Sequence, residues 1–167
     1  MMLLTIFLAI VFCAAMAMML ISCVAFIQDN RFFSSAPKEA REVLIQRKHE
    51  LFYGARAIGW TLFIISVLMI LGVGVIAVWD GFQSGFTFWQ FFLRFVLIFT
   101  IYKLYDMVCF DYFLLMRFHF FQYYYPEVGK VYPLKKYGYN IKSQLLKLLV
   151  IFPAASALAA WICTLVR

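Results

Sequence analysis

The sequence predicts an all-α integral membrane protein, a four-transmembrane-helix bundle with an amphipathic helix on the cytoplasmic side between its first two spans. Three observations point there. Of 167 residues, 66% are hydrophobic and only 14% are charged, whereas soluble domains carry about a quarter charged residues. The apolar residues gather into long runs, each near the roughly 20 residues that cross about 30 Å of hydrocarbon. The cations lie mainly in two short segments between those runs, as the positive-inside rule requires of cytoplasmic loops. The whole chain, 1–167, reads as one membrane domain.

The first span covers about residues 2–27 and holds no charged side chain. Leu20-Ile21-Ser22-Cys23 fits the outline of a lipoprotein cleavage box. The start of the chain has no Lys or Arg, however, and the apolar run continues past Cys23 to Ile27. An uncleaved span is the reading that follows. The polar segment 28–56 comes next, with Arg31, Lys38, Arg41, Arg47, Lys48 and Arg56. Ser35 ahead of Ala36-Pro37 is a helix start, and Ala40, Val43, Leu44, Arg47 and Leu51 recur at helical spacing. An amphipathic helix from Pro37 to Tyr53 is expected, lying on the inner membrane surface or packed as a solvated helix, with Gly54 as hinge.

The second span covers about 57–79, and Trp60 and Trp79 bracket a helix rise of about 28 Å, one hydrocarbon thickness. Gly72 and Gly74 are expected to admit a neighbouring helix. A link from Asp80 to Gly85 leads to the third span, about 87–116, which is longer than a bilayer needs. The segment 118–143 is rich in tyrosine and carries Lys130, Lys135, Lys136 and Lys142. Pro126, Gly129, Pro133 and Gly138 should break regular structure there. The last span covers about 144–166, where Pro153 should kink the helix by freeing the Leu149 carbonyl. Ala155 with Ala159, and Ser156 with Ala160, form a small-residue packing face.

Counting cations gives the topology. Segments 28–56 and 118–143 belong in the cytoplasm, and the outside keeps Asp80 and Arg167. A multi-pass protein of a cell membrane follows, with N- and C-termini outside and a bacterial-type cytoplasmic membrane as its simplest home. The net charge of +7 is explained by topology and by anionic lipid headgroups attracted to Lys130, Lys135, Lys136 and Lys142, so no nucleic acid is required. Cys13, Cys23, Cys109 and Cys163 form no CxxC pair and have no histidine at ligand spacing, so no metal is expected.

Ionisable groups at membrane depth are functional candidates by default. The third span supplies Arg94, Lys103, Asp106 and Asp111. Phe92, Val96, Phe99, Lys103, Asp106, Phe110, Leu114 and Arg117 fall on one stripe of an α-helix, which brings Lys103 and Asp106 within pairing range. Arg94 lies near the outer end, where it could partly snorkel outward. Arg94, Lys103 and Asp106, with Tyr102 and Tyr105, are the candidate lining of a transport or ligand path; a structural ion pair explains Lys103 and Asp106 equally. Asp106, Asp111 and His119 are the acid/base candidates should the protein be an enzyme.

No nucleophile–base pairing, phosphate loop or cofactor signature is visible, and no cofactor is expected. In length, span count and orientation the chain is similar to the small membrane-associated glutathione and eicosanoid enzymes, which are trimeric four-helix proteins. The stretch Arg47-Lys48-His49-Glu50 departs from their Arg/His/Asn/Glu pattern in lacking the Asn and its spacing. The expectation is a non-enzymatic component that forms a homo-oligomer or joins a membrane partner protein, with a possible transport or ligand path. The alternatives are a membrane-embedded enzyme acting on a lipid or lipophilic substrate at the cytoplasmic interface, and a structural scaffold.

Overall fold

The computed structural model describes residues 1–33, 38–47, 49–130 and 141–166, and every regular element among them is helical. Helix α1, Met2–Ile21, widens into a π-helical turn, Ser22–Ile27, and a 3₁₀ turn follows at Asn30–Phe33. Helix α2 is Lys38–Val43 and α3 is Ala55–Gln83. Helix α4, Phe88–Tyr105, continues as a π-helix, Asp106–Arg117. A short α5, Phe120–Tyr124, precedes a 3₁₀ turn at Pro126–Lys130. Helix α6, Ile141–Leu146, passes through a π turn, Lys147–Ile151, into α7, Phe152–Val166. Among the described residues, three helical stretches are long and apolar enough to cross a membrane: Met2–Ile27, Ala55–Gln83 and Ser143–Val166.

The chain divides into two compact units. The first comprises Met1–Ala15, Leu68–Asp106 and Asn140–Arg167. One core runs through it, and four helices contribute: Leu8 and Ala9 from α1, Val73 and Ala77 from α3, Phe91, Phe95 and Ile98 from α4, and Ala160 and Cys163 from α7. Small residues on α7 face large ones on α4, so the two helices approach closely; Ser156, Ala160 and Cys163 are the buried face of α7. Phe12 meets Phe99 and Tyr102 edge to face, and Phe152 stacks on Phe99.

The turn between α3 and α4 is specified residue by residue. Gly85, at φ +66°, ends α3 in the left-handed region that favours glycine. The Gly85 N–H donates to the Phe82 carbonyl and the Phe86 N–H to that of Gly81, which is the double bond of a Schellman motif. Thr87 then caps α4, with its side chain on the backbone of Gln90 and the Gln90 side chain on its own N–H. Phe91 seats against Gly81, where any Cβ would overlap the ring.

The second unit comprises Met16–Val67 and Met107–Tyr139. Its core holds Val24, Leu115, Tyr125 and Val128. Gly59 lets the start of α3 meet the end of the first helical stretch; a Cβ there would sit 2.8 Å from Ile27 and Phe26. Phe32, Trp60 and Phe63 form an aromatic cluster, with Phe32 and Phe63 centroids 5.2 Å apart.

Four sequence expectations change here. Among the described residues of Pro37–Tyr53, the expected helix covers only Lys38–Val43, because side chains from elsewhere capture the backbone beyond Val43. Its proposed cap, Ser35, lies outside the described residues, as does Pro37. Among the described residues Gly72 and Gly74 admit no neighbour, for a Cβ at either meets nothing within 4 Å; the close-approach glycines are Gly59 and Gly81. The segment after Arg117 is not wholly irregular, since α5 and the Pro126–Lys130 turn occupy part of it. The α-helical stripe of the third span also ends at Tyr105: the π-helix rephases the side chains, and the buried pair becomes Phe110 and Leu115, five residues apart.

Gly74→Ala should gain up to about 1 kcal/mol of helix propensity. Gly81→Ala gains the same but loses about 1–3 kcal/mol to overpacking against Phe91. Thermal unfolding in detergent micelles should therefore place Gly81→Ala below Gly74→Ala, and equal stability would remove the close α3–α4 contact from the description.

Candidate functional site

The candidate site lies in the first unit, at the end of α3 and the first turns of α4. Asp80 is in the last turn of α3, not in a link, and the Schellman turn directs α4 back along it. Arg94, two turns into α4, is 0% exposed. Its Nη2 donates to Asp80 Oδ2 at 2.6 Å and its Nη1 to the Ala77 carbonyl at 2.8 Å. The guanidinium lies over the Phe86 ring, 4.3 Å from the centroid. The outward snorkel open to Arg94 is thus replaced by burial. An arginine stays charged at any ordinary pH, so burying it requires an anion and acceptors within reach. Asp80, Ala77 and Phe86 provide a carboxylate, a carbonyl and a π face.

Two and a half turns further along α4, Lys103 is 4% exposed and pairs with Asp106 across a helical i,i+3 step. Tyr102 lies against Phe12 and Phe152 in the same core. Tyr105 is half-buried. The sequence brings Lys103 and Asp106 together as expected, because their spacing alone sets the contact. Asp106 is thereby occupied by an ammonium and is acceptor-only toward it.

A third ion pair sits in the second unit. Arg47 Nη2 meets Glu127 Oε2 at 2.8 Å and also donates to the Tyr124 carbonyl at 3.1 Å. The other Glu127 oxygen accepts the Ile45 N–H at 3.1 Å. Arg47 also lies over the Tyr125 ring at 5.4 Å, and its carbonyl accepts from Arg56 at 2.9 Å. Burial pushes the Tyr125 phenol far above the usual tyrosine range; the Arg47 guanidinium opposes that shift, while Glu127 and Asp29 add to it.

The remaining sequence candidates fall elsewhere. Asp111 is half-buried in the π-helix, and His119 is exposed at φ +53°, between that helix and α5. Lys135 and Lys136 lie outside the described residues, as do the side chains of Lys130 and Lys142. Among the described residues no three His, Cys, Asp or Glu side chains gather as metal ligands would. Sequence reasoning missed the Asp80–Arg94 and Arg47–Glu127 pairs. The first had a signal: an acid just before a Ser84-Gly85 stop and a base just after a Thr87 start meet when the chain reverses. The second spans 80 residues and had none.

Comparison of the chain with known protein families, with curated proteins and with solved structures gives no match.

Arg94 is fully buried while the Asp80 side chain is 34% exposed, so removing the carboxylate strands the guanidinium at a cost of about 3 kcal/mol, whereas replacing both by apolar groups is often neutral. Asp80→Asn should therefore destabilise strongly, and the double variant Asp80→Leu/Arg94→Met should recover most of the loss. Chemical unfolding in mixed micelles checks this, and additive losses would dismiss the coupling.

Tyr125 yields a pH prediction. Its raised pKa keeps the phenol neutral in the fold, so its stabilising contribution is intact below pH ~10, the unfolded value. As pH rises beyond that value, the unfolded chain releases the proton first and stability falls. Tyr125→Phe should flatten this alkaline limb in a denaturation series, while an unchanged limb would count against the burial.

Proposed function

We propose that this protein is a four-span, non-enzymatic membrane component that acts by helix association, as a homo-oligomer or beside a membrane partner protein. The fourth span is the helical stretch 88–117, in which Arg94, Lys103 and Asp106 are neutralised inside the protein. Both termini face outward, and residues 28–56 and 118–143 lie in the cytoplasm, where Lys130, Lys135, Lys136 and Lys142 attract anionic headgroups.

The observation that carries the reading is the inversion of inside and outside. Arg94 is wholly buried, while Val75 on α3 is 66% exposed and Leu68, Leu71 and Ile76 are exposed beside it. Trp60, Trp79, Trp89 and Trp161 all point outward, where indoles suit the headgroup levels. An apolar groove of about 330 Å³, lined by Gly74, Val75, Val78, Trp79 and Phe82, opens on the same helix. Hydrocarbon or another apolar helix is the surrounding that such faces require. The charges at depth are meanwhile engaged in side-chain pairs, which suits a structural use better than one in passage or turnover.

Native mass spectrometry from lipid nanodiscs should record an oligomer or a stable hetero-complex, and a bare monomer would reject the association. A tag placed within 118–143 should be reached only after the cells are permeabilised; labelling on intact cells would reverse the topology.

A further inference from the structure

The residues from Val43 to Tyr53 are spaced as an amphipathic helix, yet α2 stops at Val43. Nothing in the local sequence demands that stop. Leu44, Gln46, Arg47, Glu50 and Leu51 are good helix formers, and the first breaker is Gly54, at φ +85°. The stop is imposed from outside the segment. The Leu44 carbonyl accepts from Asn30 Nδ2 at 3.2 Å, and the Ile45 N–H is held by Glu127 Oε1. Arg47 is drawn to the other oxygen of the same carboxylate and to the Tyr124 carbonyl. A helix continuing through Arg47 needs that Ile45 N–H for the Arg41 carbonyl, so the two arrangements exclude each other.

We propose that Glu127 is a latch holding residues 44–47 unwound, and that an anionic membrane surface releases it by competing for Arg47. Released, α2 extends through Arg47 toward Gly54, and Val43, Leu44 and Leu51 come onto one face. Large apolar side chains already exposed in the latched form, Ile45, Leu51 and Phe52, supply surface for the acyl boundary. Arg41, Arg47 and Arg56 supply the charge that phosphate and carboxylate headgroups attract. Arg47 is suited to the exchange: its side chain is 30% exposed, against 15% for Glu127. The inference rests on the membrane reading above, though not on its orientation, because a nanodisc presents both leaflets.

The test is residue-resolved amide hydrogen exchange at Gln46 and Arg47 in nanodiscs of neutral lipid and of neutral lipid with phosphatidylserine. In neutral lipid, Glu127→Gln should slow both amides by about tenfold or more, because helix hydrogen bonds form once the latch is lost. In the parent protein, phosphatidylserine should produce the same slowing, and about 0.5 M salt should abolish it. A latch that merely braces the fold gives the opposite sign, faster exchange in Glu127→Gln, and that result overturns the proposal. Slowing in the variant without any response of the parent to phosphatidylserine overturns the lipid as the releasing partner. The parent arm stands even if Glu127→Gln fails to fold, and a reversed tag result would leave both arms unaffected.

Discussion

A guanidinium that cannot lose its charge, enclosed among phenylalanines, is the constraint on which the first unit depends. Arg94 needs a carboxylate and a free carbonyl lone pair on the same side, and both come from one face of α3, three residues apart at Ala77 and Asp80. That requirement fixes the register of α4 against α3. The register in turn places Phe91 against residue 81, where only glycine leaves room. It also sets how tightly the chain must turn between the helices, which the Gly85 stop and the Thr87–Gln90 capping box accomplish. Phe86 has two tasks in this arrangement: as the residue after Gly85 it closes the Schellman motif, and its ring faces the guanidinium.

Widened helical turns are the second recurring device. Ser22–Ile27, Asp106–Arg117 and Lys147–Ile151 are all π-helical. In the last, the Phe152 N–H reaches back to the Lys147 carbonyl, one residue beyond the α-helical partner. Pro153 follows at once, so the helix adjusts its hydrogen bonding just where proline has no N–H to give. In the long π segment the consequence is directional, since each added residue per turn rotates the following side chains. Phe110 and Leu115 face inward on a five-residue spacing that no α-helical wheel would pair.

Where α-helices form was legible because it depends on local composition and hydropathy. The apolar runs are written in local composition; the Gly85 stop and the Thr87 cap also act locally, yet the residues from Asp80 to Gly85 read as a link. The Lys103–Asp106 contact was legible for the same reason. What escaped was set by residues distant in sequence. Arg94 looked like a snorkelling cation because its partner carboxylate was assigned to a loop; the helix continues through Asp80 because nothing before Gly85 breaks it. The stop of α2 at Val43 depends on Asn30 and Glu127, and periodicity carries no information about either. The π-helical phase shifts escaped because Asp106–Arg117 contains no proline or glycine to announce them.

The three ion pairs among the described residues support the proposed association over conduction on energetic grounds. A group that passes an ion or a proton must change partners during the cycle, and each exchange in an apolar interior leaves a charge uncompensated for a time. Arg94, with a carboxylate, a carbonyl and an aromatic face all engaged, would lose several interactions at once for any such step. Lys103 and Asp106 are bound within one helix, so separating them requires rotamer changes in a packed core beside Tyr102 and Phe152. Arg47 differs in being partly exposed and in sharing a carboxylate that a backbone N–H also occupies. Of the cations in the three pairs, it alone has a partly exposed side chain, so an anion from solvent or a headgroup can approach it. If the molecule responds to its surroundings, the response therefore begins at Arg47 and not in the core around Arg94.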